Sequence, residues 1–279
     1  MGVHYRPLTV ERLSDVACCP GGAEVEGKKF RGDLTETAGW RRRMTGLGMR
    51  GVVAYEEDGP RGFAEYMPAE AAPVPIDAPG AAALMCYHWA GTDAEDPEHL
   101  AMERRLIGRV IEETRPRFTG LVTQGWDAPT HFPIPFLEEL GFREVARSGS
   151  IALMWNAYRT DAREPALAPA AYAPRDLSDE GLLAIDAAFS ARCPYSLDTE
   201  ARLKETVSAH PLKDQIRMDL HRIDTRADAF ACAVAPFDWA WVFFNGESIG
   251  LFEYPGGKLA GEITRRIEAR DEPARRRGE

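Results

Sequence analysis

The sequence predicts an α/β protein in two parts: a mixed sheet with flanking helices, then a smaller α/β domain. Three observations predict it. Strand-like and helix-like stretches alternate over residues 52–155 and again over 182–268. Between them, Thr160 to Arg175 carries Pro165, Pro169 and Pro174 among alanines and has no amphipathic period, the mark of a semi-rigid connector. A chain of 279 residues with 44% hydrophobic content can bury two ordinary cores. The expected boundaries are 1–159, a linker at 160–175, 176–270, and a charged tail at 271–279.

Each element of the first part has a local cause. Val52 to Tyr55 and Gly62 to Tyr66 flank the Gly59-Pro60 turn as an antiparallel hairpin. Ala81 to Trp89 is a longer apolar strand. A helix follows, with Asp96 as its N-cap and Pro97 in the first turn, where a missing N–H is tolerated. Leu100, Met102, Leu106, Ile107, Val110 and Ile111 supply its buried stripe, and Arg115-Pro116 ends it. Gly120 to Gly125 is a strand, and Ile134 to Leu140 a short helix stopped at Gly141. Arg143 to Val145 and Ser150 to Trp155 close the series.

The second part starts with a strand at Leu182 to Phe189 and a helix at Leu197 to Ala209. Ile216 to Ile223 alternates as a strand. Trp239 to Phe244 turns at Asn245-Gly246, a favoured two-residue hairpin turn, into Ser248 to Tyr254. Lys258 to Glu268 is a closing amphipathic helix.

Charge and thiols narrow the partners. Lys+Arg 34 against Asp+Glu 44 gives a net charge of −10, which argues against nucleic-acid phosphate. No apolar run is long enough to span a bilayer, and Met-Gly-Val-His-Tyr-Arg-Pro lacks the apolar core of a signal peptide. Cys18, Cys19, Cys86, Cys193 and Cys232 are an odd set that does not read as a secreted disulfide framework. The expectation is a cytoplasmic protein with a small-molecule amine or thiol substrate, no nucleic-acid partner and no membrane. The oligomeric state is open, a homodimer included.

Three stretches of the first part, in this order, resemble the GNAT superfamily of acyl-CoA-dependent N-acyltransferases. They are Gly62-Phe63-Ala64-Glu65-Tyr66; Leu84 to Trp89 with the helix at 97–114; and Pro135-Phe136-Leu137-Glu138-Glu139-Leu140-Gly141-Phe142, closed by a strand ending in Leu153-Met154-Trp155. The resemblance covers residues 45–158. It implies transfer of an acetyl or acyl group from acetyl-CoA to a small amine. It also implies a central strand that parts from its neighbour, often at a bulge, so that the pantetheine arm enters as a pseudo-strand. Leu84, Met85, Cys86 and Tyr87 on that strand, with Ala101 beyond it, are the implied cofactor contacts. The family's glycine-rich phosphate loop, counted back from Leu106-Ile107, falls on Glu98-His99-Leu100-Ala101-Met102-Glu103, where neither glycine is present. Asp93, Glu95, Asp96 and Glu98 crowd the helix start and would stabilise its dipole themselves. The family's late tyrosine falls on Leu137. Glu65 is then the candidate base, with Tyr87 and His88 as proton carriers and His131 toward the substrate. Strand alternation places Leu84, Cys86 and His88 on one face. Glu65 also reads as an ordinary strand residue, and His88 as a satisfied half-buried side chain.

The cysteines open a second chemistry. Cys18-Cys19-Pro20-Gly21-Gly22 is a turn whose glycines allow a tight loop near the acceptor cleft, so Cys18 and Cys19 are substrate-contact candidates with Cys86. Either could pair with Cys86 or share a soft ion with it, but the spacing supports no metal assignment. Over residues 178–270 the chain resembles the thioredoxin/glutaredoxin fold. Cys193-Pro194-Tyr195-Ser196 sits between strand and helix, Ala235-Pro236 takes the place of the fold's cis-proline, and Phe243 to Glu247 gives its last hairpin. The resemblance implies a Cys193 thiolate favoured by the helix N-terminus, mixed disulfides with glutathione or a substrate thiol, and Cys232 as a resolving thiol. Three readings stand: an acyltransferase with an accessory thioredoxin-like domain; a thiol-redox or thiol/metal-handling protein centred on Cys193 or on Cys18, Cys19 and Cys86; and a non-catalytic binding protein that retains both folds.

Overall fold

The computed structural model describes residues 2–18, 24–25, 28–29, 34–57, 59–89, 97–127, 132–234, 241–249 and 258–277. The first part is built from β1 (His4–Pro7), α1 (Leu34–Gly46), β2 (Arg50–Glu56), β3 (Gly59–Pro68), β4 (Ala82–Trp89), α2 (Pro97–Thr114), β5 (Gly120–Trp126), α3 (Ile134–Glu139), β6 (Arg143–Ser148) and β7 (Ile151–Ala157). Its strands make one seven-stranded sheet in the order β1-β2-β3-β4-β5-β7-β6. Neighbours run antiparallel except β4 and β5, which are joined through α2 and run parallel. The architecture is the mixed α/β sheet with flanking helices that the sequence predicts.

Both faces of this sheet are covered, so its central strands are apolar on both sides. On one face α2 and α3 pack Leu106, Ile107, Val110, Phe136 and Leu137 against Val52, Ala64, Tyr66, Leu84 and Tyr87. On the other, α1 presses Trp40 and Met44 onto Met67, Met85, Val122, Leu153 and Trp155. Gly120 makes room for this packing: a Cβ there would lie 2.1 Å from the Trp155 ring. Gly141 stops α3 as expected, at a φ of +85°.

The second part is β8 (Leu183–Phe189), α4 (Pro194–Ala209), β9 (Ile216–Arg222), α5 (Arg226–Ala231), β10 (Trp241–Phe244), β11 (Glu247–Ser248) and α6 (Lys258–Arg277). The sheet order is β9-β8-β10-β11; β8 and β9 are parallel, while β10 runs antiparallel to both β8 and β11. Its core gathers Leu183, Ile185, Phe189, Leu203, Val242, Phe244, Leu259 and Ile263. α6 runs past the expected end at Glu268 to Arg277, so residues expected as a charged tail continue the helix.

The two parts are tied together by specific polar contacts. Trp40 Nε1 donates to the Asp224 carbonyl at 2.9 Å. Arg226 donates to the carbonyls of Ala69 at 2.7 Å and Ile76 at 3.0 Å. Arg222 pairs with Glu36 of α1. The proline-rich connector is strapped at both ends: Ala166-Leu167 pairs with Ile76-Asp77, and Arg175 clamps the buried Asp186.

Candidate functional site

The site begins with one extra residue on β4. Glu65 of β3 pairs with Cys86 and Tyr66 pairs with Leu84, so Met85 bulges out of the register. A bulge breaks the two-residue alternation of a strand. Leu84 and Tyr87 therefore face α2, while Met85 and Cys86 both lie on the opposite face. This corrects the expectation that Leu84, Cys86 and His88 share a side. His88 stays with Cys86, its ring 6.4 Å from Phe63.

The parallel neighbour parts from β4 at the same level. Only Ala82 with Leu121 and Ala83 with Val122 are paired between β4 and β5. Thr123 Oγ1 donates to the Leu84 carbonyl at 3.1 Å, and pairing goes no further. On the far rim Trp126 is bridged to Pro133, and its N–H donates to the Phe132 carbonyl at 2.9 Å. The Phe132 N–H donates to Tyr87 Oη at 3.0 Å, and the two rings meet edge-on at 4.5 Å. Tyr87, Phe132 and Phe136 thus give the opening an aromatic floor on the helix side. Burial pushes the Tyr87 phenol well above its ordinary range, so it stays protonated.

Gln124 stands on β5 where the strands separate, one step beyond Thr123. Alternation puts it on the same face as Val122, away from α2. It is 4% exposed, and its Nε2 has no hydrogen-bond partner. A buried amide donor left unpaired costs free energy.

At the open end, Glu103 of α2 accepts from the Trp89 N–H and lies 3.3 Å from His99. Burial raises its carboxyl to about 7. Burial, reinforced by His99, lowers His88 to about 4, so His88 is neutral at physiological pH.

The face away from α2 holds charge and sulfur. Arg41 grips Glu65 through Nε at 2.5 Å and Nη2 at 3.2 Å, with side-chain exposures of 6% and 0%. Both Glu65 oxygens are engaged by this guanidinium. The turn after β8 reaches this face: Ala191 is buried in the same cluster as Met85. Arg192 is buried among Cys86, Cys193, Glu65 and Arg41, and burial lowers its basicity. Cys193 caps α4, and burial raises its thiol against the pull of the Ser196 and Tyr195 N–H groups, Arg192 and Arg41. The expected lowering by the helix N-terminus is thus overturned, because desolvation outweighs it.

The structure pairs Glu65 with Cys86, with Met85 beside them and His88 on the same face, and the buried turn at Ala191 puts Cys193 within electrostatic reach of Cys86. Leu84 and Tyr87 line the helix side. Ala101 lies inside α2, as do all the positions from Glu98 to Glu103, so the expected phosphate-loop register falls on helix rather than loop. Cys19, His131, Asp93, Glu95, Asp96 and Ala235-Pro236 lie outside the described residues, as does the side chain of Cys18. Cys232 packs separately with Ala188, Ile223 and Trp241. No metal-holding group of three or more ligands occurs among the described residues. Sequence reasoning missed Arg41, Gln124, Glu103 and Arg192. Thr37, Trp40, Arg41 and Met44 recur at helical spacing, which could have exposed Arg41 as inward-facing. Gln124 is a polar residue inside an otherwise apolar strand, which was the other available signal.

No family model and no curated protein matches the chain. Solved structures similar to it include the PaiA N-acetyltransferase from Thermoplasma acidophilum in complex with coenzyme A, 16% identical, covering 57% of this chain and 100% of that one, with a TM-score of 0.39. A GNAT family acetyltransferase from Brucella melitensis in complex with acetyl-CoA is 16% identical, over 61% of this chain and 97% of that one, with a TM-score of 0.40. An N-acetyltransferase from Staphylococcus aureus Mu50 is 14% identical, over 57% of this chain and 100% of that one, with a TM-score of 0.41.

Proposed function

We propose that the first part transfers an acyl group from an acyl-CoA thioester to a small amine, and that a thioredoxin-like second part covers the acceptor side of the site. The observation that carries this reading is the parting of β4 from β5 at the Met85 bulge. Strand edges with unmet hydrogen-bonding groups accept an extended chain of amides as a further strand. The buried, unpartnered Gln124 Nε2 fits such an arm, since it needs a carbonyl acceptor at this level. Acetyl-CoA, when bound, supplies an acyl group already activated as a thioester.

In this reading the backbone of Met85 to Tyr87 and the Gln124 amide hold and orient the arm. Tyr87, Phe132 and Phe136 exclude water from its helix side. Tyr87, a protonated phenol, is the proton donor on that side. The neutral imidazole of His88 accepts a hydrogen bond from the amine, whose proton leaves to solvent. Glu65, with both oxygens held by Arg41, is a positioning residue rather than the base. The thioredoxin-like assignment is supported by the β9-β8-β10-β11 order and by the β-α-β-α-β-β-α succession of the second part. No helix among the described residues is long and apolar enough to cross a membrane. The cytoplasm is the proposed compartment, since the free thiols of Cys86, Cys193 and Cys232 suit a reducing environment.

Titration calorimetry with acetyl-CoA tests the reading. Wild-type protein is expected to bind, and Gln124→Leu to bind at least about tenfold more weakly, as loss of one buried hydrogen bond entails. Absence of heat and of thermal stabilisation at millimolar acetyl-CoA would remove it.

A further inference from the structure

A cavity of about 440 Å³ lies at the edge of the first sheet, between β1 and α2, lined by Val3, Tyr5, Pro7, Val52, Arg109 and Glu113. β2 and β3 separate it from the opening beside β4. Strand alternation sets which side chains face it. His4 stacks on Tyr55 at 5.3 Å and Arg6 lies 5.5 Å from the same ring, on the face away from α2. Val3 and Tyr5 point the other way and pack with Val52 on the α2 side. Together with Pro7 they give the cavity an apolar floor. Tyr5 Oη is buried and has no hydrogen-bond partner. A buried hydroxyl in that state costs free energy until something pairs with it. The charges on the α2 wall are not equally committed. Glu113 accepts from Tyr66 Oη at 3.0 Å, and Arg117 donates to that Oη at 3.2 Å, so this carboxylate is already served. Arg109 lies over the Tyr5 ring, its Cζ 5.4 Å from the centroid. Its ion pair with Glu112, at 2.9 Å, joins side chains exposed to 53% and 67%, so it is weak and open to exchange. A peptide strand does not suit this edge. Pro7 has no N–H, and its carbonyl already accepts from Arg12 at 3.1 Å.

We propose that this cavity binds a small carboxylate that carries an aryl or branched alkyl body. The carboxylate takes Arg109 from Glu112 through two parallel hydrogen bonds, the geometry a guanidinium fork favours. In doing so it draws Arg109 off the Tyr5 ring and gives Tyr5 Oη the acceptor it lacks. The body rests on Val3, Pro7, Val52 and the Tyr5 ring, as small ligands do in mostly apolar clefts with a few placed polar groups. The acyl-transfer reading uses none of these residues, so the two stand or fall separately.

The test is titration calorimetry of the full-length protein with phenylacetate, free of any acyl-CoA. Phenylacetate is expected to bind with a Kd below about 1 mM. Phenylacetamide, which keeps the body and loses the charge, and acetate, which keeps the charge and loses the body, should each bind at least about tenfold more weakly. Tyr5→Phe, which removes only the hydroxyl, and Arg109→Gln should each weaken phenylacetate by at least about tenfold. Absence of heat at about 10 mM phenylacetate would overturn the proposal. So would equal affinity for acetate or phenylacetamide, or an affinity unchanged in Tyr5→Phe, which would place the anion elsewhere. Tyr5→Phe decides on its own if Arg109→Gln fails to fold.

Discussion

Two parallel strand pairs in this chain, each joined through a helix, end in opposite ways. β8 and β9 stay in register over all seven positions, from Leu183 with Ile216 to Phe189 with Arg222. β4 and β5 hold only two. Each pair also buries a polar side chain, and these too differ. Asp186 on β8 is met by the Arg175 backbone N–H at 2.5 Å and by its guanidinium. Gln124 on β5 keeps a donor without a partner. Parallel pairing does not itself open a sheet. Here the parting falls beside an inserted residue on β4, and the polar group at the opening keeps a donor without a partner.

The largest expected effect comes from unbalancing the buried charge beneath the opening. Arg41→Met strands Glu65 and should cost about 3–5 kcal/mol in chemical denaturation. Arg175→Met in the closed pair should cost less, because Asp186 keeps its backbone donor. Equal costs would erase the contrast between the two regions.

Next comes the pH dependence set by Glu103. Its carboxyl sits at about 7 in the folded chain against an ordinary 4.5. Below about pH 4.5 it is neutral in both states. As pH rises, the unfolded state ionises first, so stability falls between about pH 4.5 and 7 and then levels. Glu103→Gln should remove that fall and be more stable than wild type at about pH 8, by at most about 3 kcal/mol. His88 works in the reverse sense: its stabilising contribution above about 6.5 is lost as pH falls through about 4. The difference between the variant and wild type isolates Glu103. An unchanged slope would contradict the burial of its carboxyl.

A smaller effect is expected where the strands are still paired. Gly120→Ala drives a methyl into Trp155 and should cost about 1–3 kcal/mol by thermal denaturation. The smallest is Gln124→Leu, which should change stability by less than about 1 kcal/mol while weakening acetyl-CoA binding. A large loss of stability would mean that the amide serves the fold.

Much of the framework was legible because single residues announce it. Pro97 opens α2, Gly141 ends α3, and Asn245-Gly246 turns β10 into β11. The bulge was not, because Leu84, Met85 and Tyr87 are all apolar and both faces of the sheet are buried, so either register looks satisfied. α1 was hidden by Gly39 and by its run of arginines, whose phase splits them: Arg41 is buried while Arg42 and Arg43 are exposed. The Cys193 environment was misjudged because a helix N-terminus can be read from sequence, whereas the desolvation imposed by packing against distant segments cannot.

Hydrogen exchange along β4 tests the open edge most directly. In the free protein, the gap-facing amides of Met85 to His88 should exchange faster than those of Ile185 to Phe189 in β8. Saturating acetyl-CoA should slow the former by at least about tenfold and leave the latter unchanged. Protection in the free protein equal to that of β8, or none gained with acetyl-CoA, would contradict the account.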